Sequence, residues 1–207
     1  ASTEQSKNVE DNSVLVLNMT GTLSERAESN PFSDIMGKVA KSNGLDDILK
    51  AIEKAKDNDK IKGIYIEAGL FSPDSYASLQ AIRRALSDFK KSGKWIVAYG
   101  DSYTQGVYYL ASVADKLYIN PQGQIDWHGI AAERMYMKDL MAKFGVKMQV
   151  TKVGTYKSAT EQFTNDKMSD ADREQTTAII NGVWKNVVNE VAASRKLTAA
   201  KLNSYTD

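Results

Sequence analysis

The chain predicts an α/β fold, and three observations carry the prediction. Short β-branched apolar runs end on glycine or on Asn-Pro, stretches with apolar residues three and four apart lie between them, and the two kinds alternate along the chain. With 207 residues, 42% of them hydrophobic and 26% charged, the sequence can bury a sizeable core as one domain of ordinary size.

Residues 1–12 are polar and read as a leader. Ser13 to Met19 is a buried strand ended by Gly21, and the polar stretch through Asn30-Pro31 reads as a mobile loop. From Leu45 a helix follows, with Leu45, Ile48, Leu49 and Ile52 on one face and Asp46 and Asp47 in the first turn, where carboxylates suit the helix dipole. Ile61 to Ile66 is a strand, Ser75 to Lys91 a helix with Leu79, Ile82, Leu86 and Phe89 inward, and Trp95 to Tyr99 a strand ended by Gly100. Gly106 to Val113 is a small helix, Lys116 to Ile119 a strand, and Gly123 to Gly129 a turn-rich stretch. Met135 to Phe144 predicts a helix stopped by Gly145, and Val146 to Val153 a further strand. A long helix starts at Ser169, the expected N-cap, with Asp172 in capping-box position and Ile179, Ile180, Val183, Trp184 and Val187 along one side. Leu197 to Leu202 begins another helix that closes nothing before Asp207, so residues 13–207 are expected to be a domain cut at both ends from a longer protein.

Composition narrows the function. Lys and Arg number 27 against 26 acidic residues, which leaves no basic excess for nucleic acid. There is no cysteine and one histidine, so no Cys/His cluster can hold zinc and no thiol can act as nucleophile; cysteine absence also fits an extracytoplasmic protein. Neither a GxGxxG turn nor a GxxxxGK[ST] loop occurs, and no cofactor or metal is expected. No apolar run is long enough to span a bilayer, and the N-terminus lacks the basic and apolar regions of a signal peptide. His128 lies near Asp126, but without a positioned serine these two make no triad, and a turn or interface histidine is the plainer reading. Tyr103, Tyr108 and Tyr109 read as core or interface aromatics.

Val153-Gly154-Thr155-Tyr156-Lys157-Ser158-Ala159 places a lysine on a glycine-introduced turn between an apolar strand and a polar segment. Taken alone, it reads as a surface lysine in a loop. A lysine held there could also accept a proton, but only as the neutral amine; since the free side chain titrates near about 10.4, a lysine base has to be desolvated.

Three segments in order decide between these readings: Gly100 to Ser112, then Ala114 to Tyr118 with Asn120-Pro121, then Val153 to Ala159. Together they resemble the signal peptide peptidase A family, also called protease IV, over nearly the whole chain, and more closely the N-terminal half of its long two-repeat form. The resemblance implies a ClpP/crotonase-like spiral, here a single repeat of a tandem pair. It also implies a membrane-associated serine peptidase with a Ser-Lys dyad, which cleaves signal peptides left over after release from preproteins. Its partners would be signal peptides or other apolar peptides and further copies of itself in a ring-like homo-oligomer. It would sit on the periplasmic side of the bacterial inner membrane, held by an N-terminal anchor that this chain lacks.

The family's general base lies in a GxYKSA-type motif, so that role carries to Lys157, with Tyr156 and Ser158 as flanking hydroxyls that could orient the amine. Its nucleophile lies in an A-S-G-G-Y-Y type motif, which aligns on Thr104-Gln105-Gly106-Val107-Tyr108-Tyr109 and leaves Gln105 at the serine position. A carboxamide cannot attack an acyl carbon. The family's glycine pair, whose N–H groups stabilise an oxyanion, is replaced by Phe71-Ser72-Pro73-Asp74, where Pro73 has no N–H to donate. This repeat thus keeps the base and lacks both nucleophile and oxyanion site, as expected if it lends Lys157 to a serine in a second repeat. Two other readings stand beside it: a catalytically inactive crotonase-like scaffold for assembly or peptide binding, and an acyl-CoA enzyme of the crotonase group, against which Ser72-Pro73-Asp74 argues.

Overall fold

The computed structural model of the chain describes residues 9–26, 42–151 and 153–206. The chain divides into two compact units, residues 1–128 with 190–207, and residues 129–189. Most of the polar leader and the Asn30-Pro31 stretch lie outside the described residues.

The first unit is built on a parallel sheet. Its strands are β1 (Ser13–Ser24), β2 (Ser42–Gly44), β3 (Ile61–Ser72), β4 (Trp95–Gly100) and β5 (Lys116–Ile119), with helices α1 (Leu45–Asp57), α2 (Tyr76–Lys90) and α3 (Gln105–Ala111) in the crossovers. The spatial order is β2-β1-β3-β4-β5, every pair parallel. Parallel neighbours need such crossovers, so the alternation in the sequence becomes this topology directly. Ile64 pairs with Ile96 and Ile66 with Ala98, a buried stripe that faces the same core as Leu79, Ile82, Leu86 and Phe89 of α2 and Ile52 and Ala55 of α1.

Two strands outrun their apolar patterns. β1 passes through Gly21, at φ +78°, and continues to Ser24 with Leu23 buried; the glycine marks a register shift against β3 rather than a stop. β3 extends six residues past Ile66, because pairing of Asn18 with Glu67 and of Thr22 with Ser72 is a backbone matter that side-chain pattern does not record. Helix ends follow local chemistry: Ser75 caps α2 by accepting the Ser78 N–H at 3.2 Å, and Lys94 Nζ donates to the carbonyls of Ala55, Lys56 and Asn58 at the end of α1, each at 2.8 Å.

The second unit holds α4 (Lys138–Lys143), α5 (Glu161–Thr164) and most of α6 (Asp170–Arg195); α7 (Ala199–Asn203) belongs to the first. α4 is shorter than the predicted Met135 to Phe144, and Gly145 at φ +71° ends it as expected. The predicted strand Val146 to Val153 does not form among the described residues: Val146, Met148 and Val150 alternate as a strand would, but they are exposed and no described neighbour pairs with them. Alternation supplies a propensity, and a strand needs a partner.

At the start of α6, Ser169 Oγ accepts the Asp172 N–H at 3.2 Å, as a cap should. The reciprocal half of the expected capping box is made by another residue. Glu161, buried, accepts from the Ser169 N–H and hydroxyl at 3.3 and 2.9 Å, while Asp172 turns to Arg134. Burial along α6 gathers at Val187, Val188, Val191 and Ala192, whereas Ile179 of the predicted stripe is 60% exposed.

Candidate active site

Gln105 opens α3. Thr104 before it has extended backbone, and its hydroxyl accepts from the Val107 N–H, so the helix begins at the residue aligned with the nucleophile position. The Gln105 side chain is buried, at 4% exposure, and its carboxamide is bonded at both ends. Nε2 donates to the Tyr76 hydroxyl at 2.6 Å, and Oε1 accepts the His128 N–H at 3.0 Å. A chemically inert group therefore fills this position and ties α3 to α2 and to the Trp127-His128 segment.

Of the expected Phe71-Ser72-Pro73-Asp74 turn, Phe71 and Ser72 are the last residues of β3, paired with Gly21 and Thr22, and only Pro73 and Asp74 lie in the link to α2, beside the start of α3. A Cβ on Gly106 would stand 3.2 Å from Leu79 Cδ1 and 3.7 Å from Pro73 Cγ, so a side chain there would press on Leu79 and touch Pro73. The two places where the sequence departs from the peptidase pattern, Gln105 and Pro73, are thus neighbours in the first unit. The tyrosines around them pack edge to face: Tyr103 with Tyr108 at 6.3 Å, Tyr108 with Trp127 at 5.6 Å, and Tyr76 with Tyr109 at 6.4 Å between ring centroids. Burial pushes the Tyr103 and Tyr109 phenols up, and Tyr109 is pushed further by donating to the Glu190 carboxylate.

Lys157 lies in the second unit, on a turn that Gly154 opens at φ +100°. Its side chain is exposed and makes no hydrogen bond or ion pair among the described residues. With Arg134, Val150, Val153, Tyr156 and Ser158 it lines a cleft of about 620 Å³. Ser158 is buried, and its carbonyl accepts the Glu161 N–H at 2.9 Å to start α5. The Tyr156 hydroxyl donates to Glu174 at 3.2 Å, a bond that pushes its pKa up. Neither flanking hydroxyl is bonded to Lys157 in this arrangement. His128 is exposed, lies in irregular chain and stands 3.4 Å from Asp126.

The profile of peptidase family S49 matches residues 88–207, more than half of the chain. The chain belongs to peptidase family S49. It is 38% identical over 196 residues to Protease 4 of Salmonella typhi and 35% identical over 189 residues to Protease 4 of Haemophilus influenzae. These alignments cover 91% and 88% of this chain but only 32% and 31% of those proteins, so the S49 chain spans about a third of the length of the curated relatives it matches. The chloroplastic serine protease SPPA of Arabidopsis thaliana is 26% identical over 184 residues. These relatives agree with the resemblance to signal peptide peptidase A read from the motifs. A crystal structure of an enoyl-CoA hydratase/isomerase family protein from Silicibacter pomeroyi aligns over 95% of this chain and 94% of its own, at 13% identity and a TM-score of 0.39.

Two polar clusters near these positions were not anticipated from the S49 sequence. In the first unit Arg83, 4% exposed, donates to the Tyr109 carbonyl, to Ser112 Oγ at 2.7 Å, to the Glu190 carbonyl at 2.8 Å and to Ser194 Oγ at 2.6 Å, with the Glu190 carboxylate 3.5 Å from Nε. Its signal was present, because position 83 falls on the inward stripe of Leu79, Ile82 and Leu86, where a charge implies a buried partner. In the second unit Arg134 Nη1 donates to Asp172 at 2.7 Å, and that carboxylate is fully buried. Nothing local in the sequence pairs positions 134 and 172.

Proposed function

We propose that this chain is the N-terminal half of a serine endopeptidase that degrades released signal peptides, and that it supplies Lys157 as general base to a serine nucleophile in a second, C-terminal repeat. The observation that carries the proposal is Gln105. Its carboxamide is buried and bonded to Tyr76 and His128 where the family's nucleophile would stand, beside a proline where an oxyanion donor would be needed. A peptidase repeat so arranged has no nucleophile of its own, while the exposed Lys157 on its glycine turn is open to a partner group. Relatives about three times as long as this chain leave room for the second repeat.

In the proposed cycle Lys157, made neutral by burial when the second repeat covers it, takes the proton from the serine hydroxyl as the serine attacks the scissile carbonyl. The lysine then returns a proton to the leaving amine, and water resolves the acyl-enzyme. Tyr156 and Ser158 would orient the amine once the site is assembled. Substrates are short apolar peptides bound extended, which suits the apolar Val150 and Val153 in the wall of the Lys157 cleft. Assembly as a homo-oligomer, and attachment to the periplasmic side of the inner membrane through a segment N-terminal to this chain, are part of the same proposal. Among the described residues no helix is long and apolar enough to cross a membrane.

The test is hydrolysis of a fluorogenic apolar peptide by the full-length protein, wild type against Lys157→Ala at equal folding and oligomeric state. Loss of turnover by at least about a thousandfold, with a serine-directed phosphonate still labelling the folded protein, supports the assignment. Unchanged turnover would sink it and leave the catalytically inactive scaffold, which Gln105 and Pro73 fit equally well.

A further inference from the structure

The Lys157 cleft holds a second cation whose placement the proposed chemistry does not use. Arg134 lines the same wall as Val150, Val153 and Tyr156. Its guanidinium is fixed from behind: Nη1 donates to Asp172 at 2.7 Å and Nη2 to Thr176 Oγ1 at 3.2 Å. Asp172 is in turn anchored, its carboxylate fully buried and its N–H bonded to Ser169 Oγ at the first turn of α6. An arginine has five N–H donors in a rigid fork and stays charged through the pH range in which enzymes work. Two donations therefore hold the group while its other donors remain, and its side chain is 38% exposed.

Burying a carboxylate to hold one surface arginine costs desolvation energy that a merely solvated arginine would not require. What the arrangement provides is a pre-oriented fork in a cleft whose lining, among the described residues, includes valines and no acidic residue. The ligand complementary to that lining has an apolar body and a compact planar anion at its end. We infer that Arg134, held by Asp172, binds the C-terminal carboxylate of a short apolar peptide in the Lys157 cleft.

The inference rests on the peptidase reading and sharpens its substrate class. A released peptide ends in a free carboxylate, whereas the same sequence inside a precursor continues as an amide. A fork for that carboxylate selects released fragments over intact chains through charge-assisted, bidentate bonding that an amide cannot reproduce.

The test uses the full-length protein and two fluorogenic peptides of one apolar sequence, one ending in a free carboxylate and one in a carboxamide. The expected result is a kcat/KM roughly tenfold or more in favour of the acid, carried by KM. Because Arg134→Gln alone would strand the buried Asp172 charge, the comparison variant is Arg134→Gln with Asp172→Asn, in which the acid-to-amide ratio falls to about one. Equal turnover of acid and amide by the wild type, or a ratio unmoved in the double variant, overturns the inference. If Lys157→Ala abolishes turnover of both peptides while the wild type shows no preference, the peptidase reading stands and this one falls. If Lys157→Ala leaves turnover intact, the peptidase reading falls, and fluorescence anisotropy on that variant still decides here: acid bound roughly tenfold more tightly than amide supports the fork, and equal binding rejects it.

Discussion

At the scale of single residues, the position aligned with the nucleophile shows how an inactive substitution becomes structural. Gln105 reaches both the Tyr76 hydroxyl and the His128 N–H, which a serine side chain is too short to bridge. Gln105→Ser should therefore destabilise the fold by about 1–2 kcal/mol, because two part-buried hydrogen bonds, to the Tyr76 hydroxyl and from the His128 N–H, are lost. It should also yield no hydrolysis by this chain alone, since Pro73 beside it offers no N–H to an oxyanion. Chemical denaturation and a fluorogenic peptide assay check both halves; measurable turnover would mean that this repeat is a complete site in its own frame. Lys157 stands out in the sequence through its motif. The Arg134 pair with Asp172 does not, because Asp172 lies 38 positions away and meets Arg134 only through folding.

Among the elements, those whose ends are set by local chemistry stand where the sequence predicts them, and those set by partners do not. α2 and β5 match their predicted spans within a residue or so because Ser75, the inward stripe and the Asn120-Pro121 stop all act locally. β1 and β3 run long and Val146 to Val153 forms no strand, because in each case a neighbouring backbone, present or missing among the described residues, decides. α1 offers an element-scale test. Its C-terminal carbonyls are gathered by Lys94 Nζ from the next crossover, so Lys94→Met should cost about 1–2 kcal/mol and speed amide hydrogen exchange in the last turn of α1 before that of α2. Unchanged exchange there would show that solvent caps the helix as well as the lysine does.

On the scale of the whole molecule, the first unit buries two phenols that its folding keeps neutral. Burial raises both Tyr103 and Tyr109, with Tyr103 donating to the Tyr118 carbonyl at 2.8 Å and Tyr109 to Glu190. A group whose folded pKa is raised contributes stability that is complete below its unfolded pKa, about 10 for tyrosine, and is lost as pH climbs above it. Unfolding free energy should therefore fall between pH 9 and pH 11, roughly, and fall less steeply in Tyr103→Phe. Denaturant titrations at the two pH values measure it, and identical slopes in wild type and variant would remove Tyr103 as a cause. The α/β class, the alternation of helices and strands and the lysine motif could be read from the chain alone, since periodicity, caps and glycine turns act over a few neighbouring residues. The pairing of Gln105 with Tyr76, the Arg83 and Glu190 cluster and the Arg134 fork were decided by tertiary structure, because a buried polar group takes whichever partner packing brings within hydrogen-bond reach, however distant in sequence.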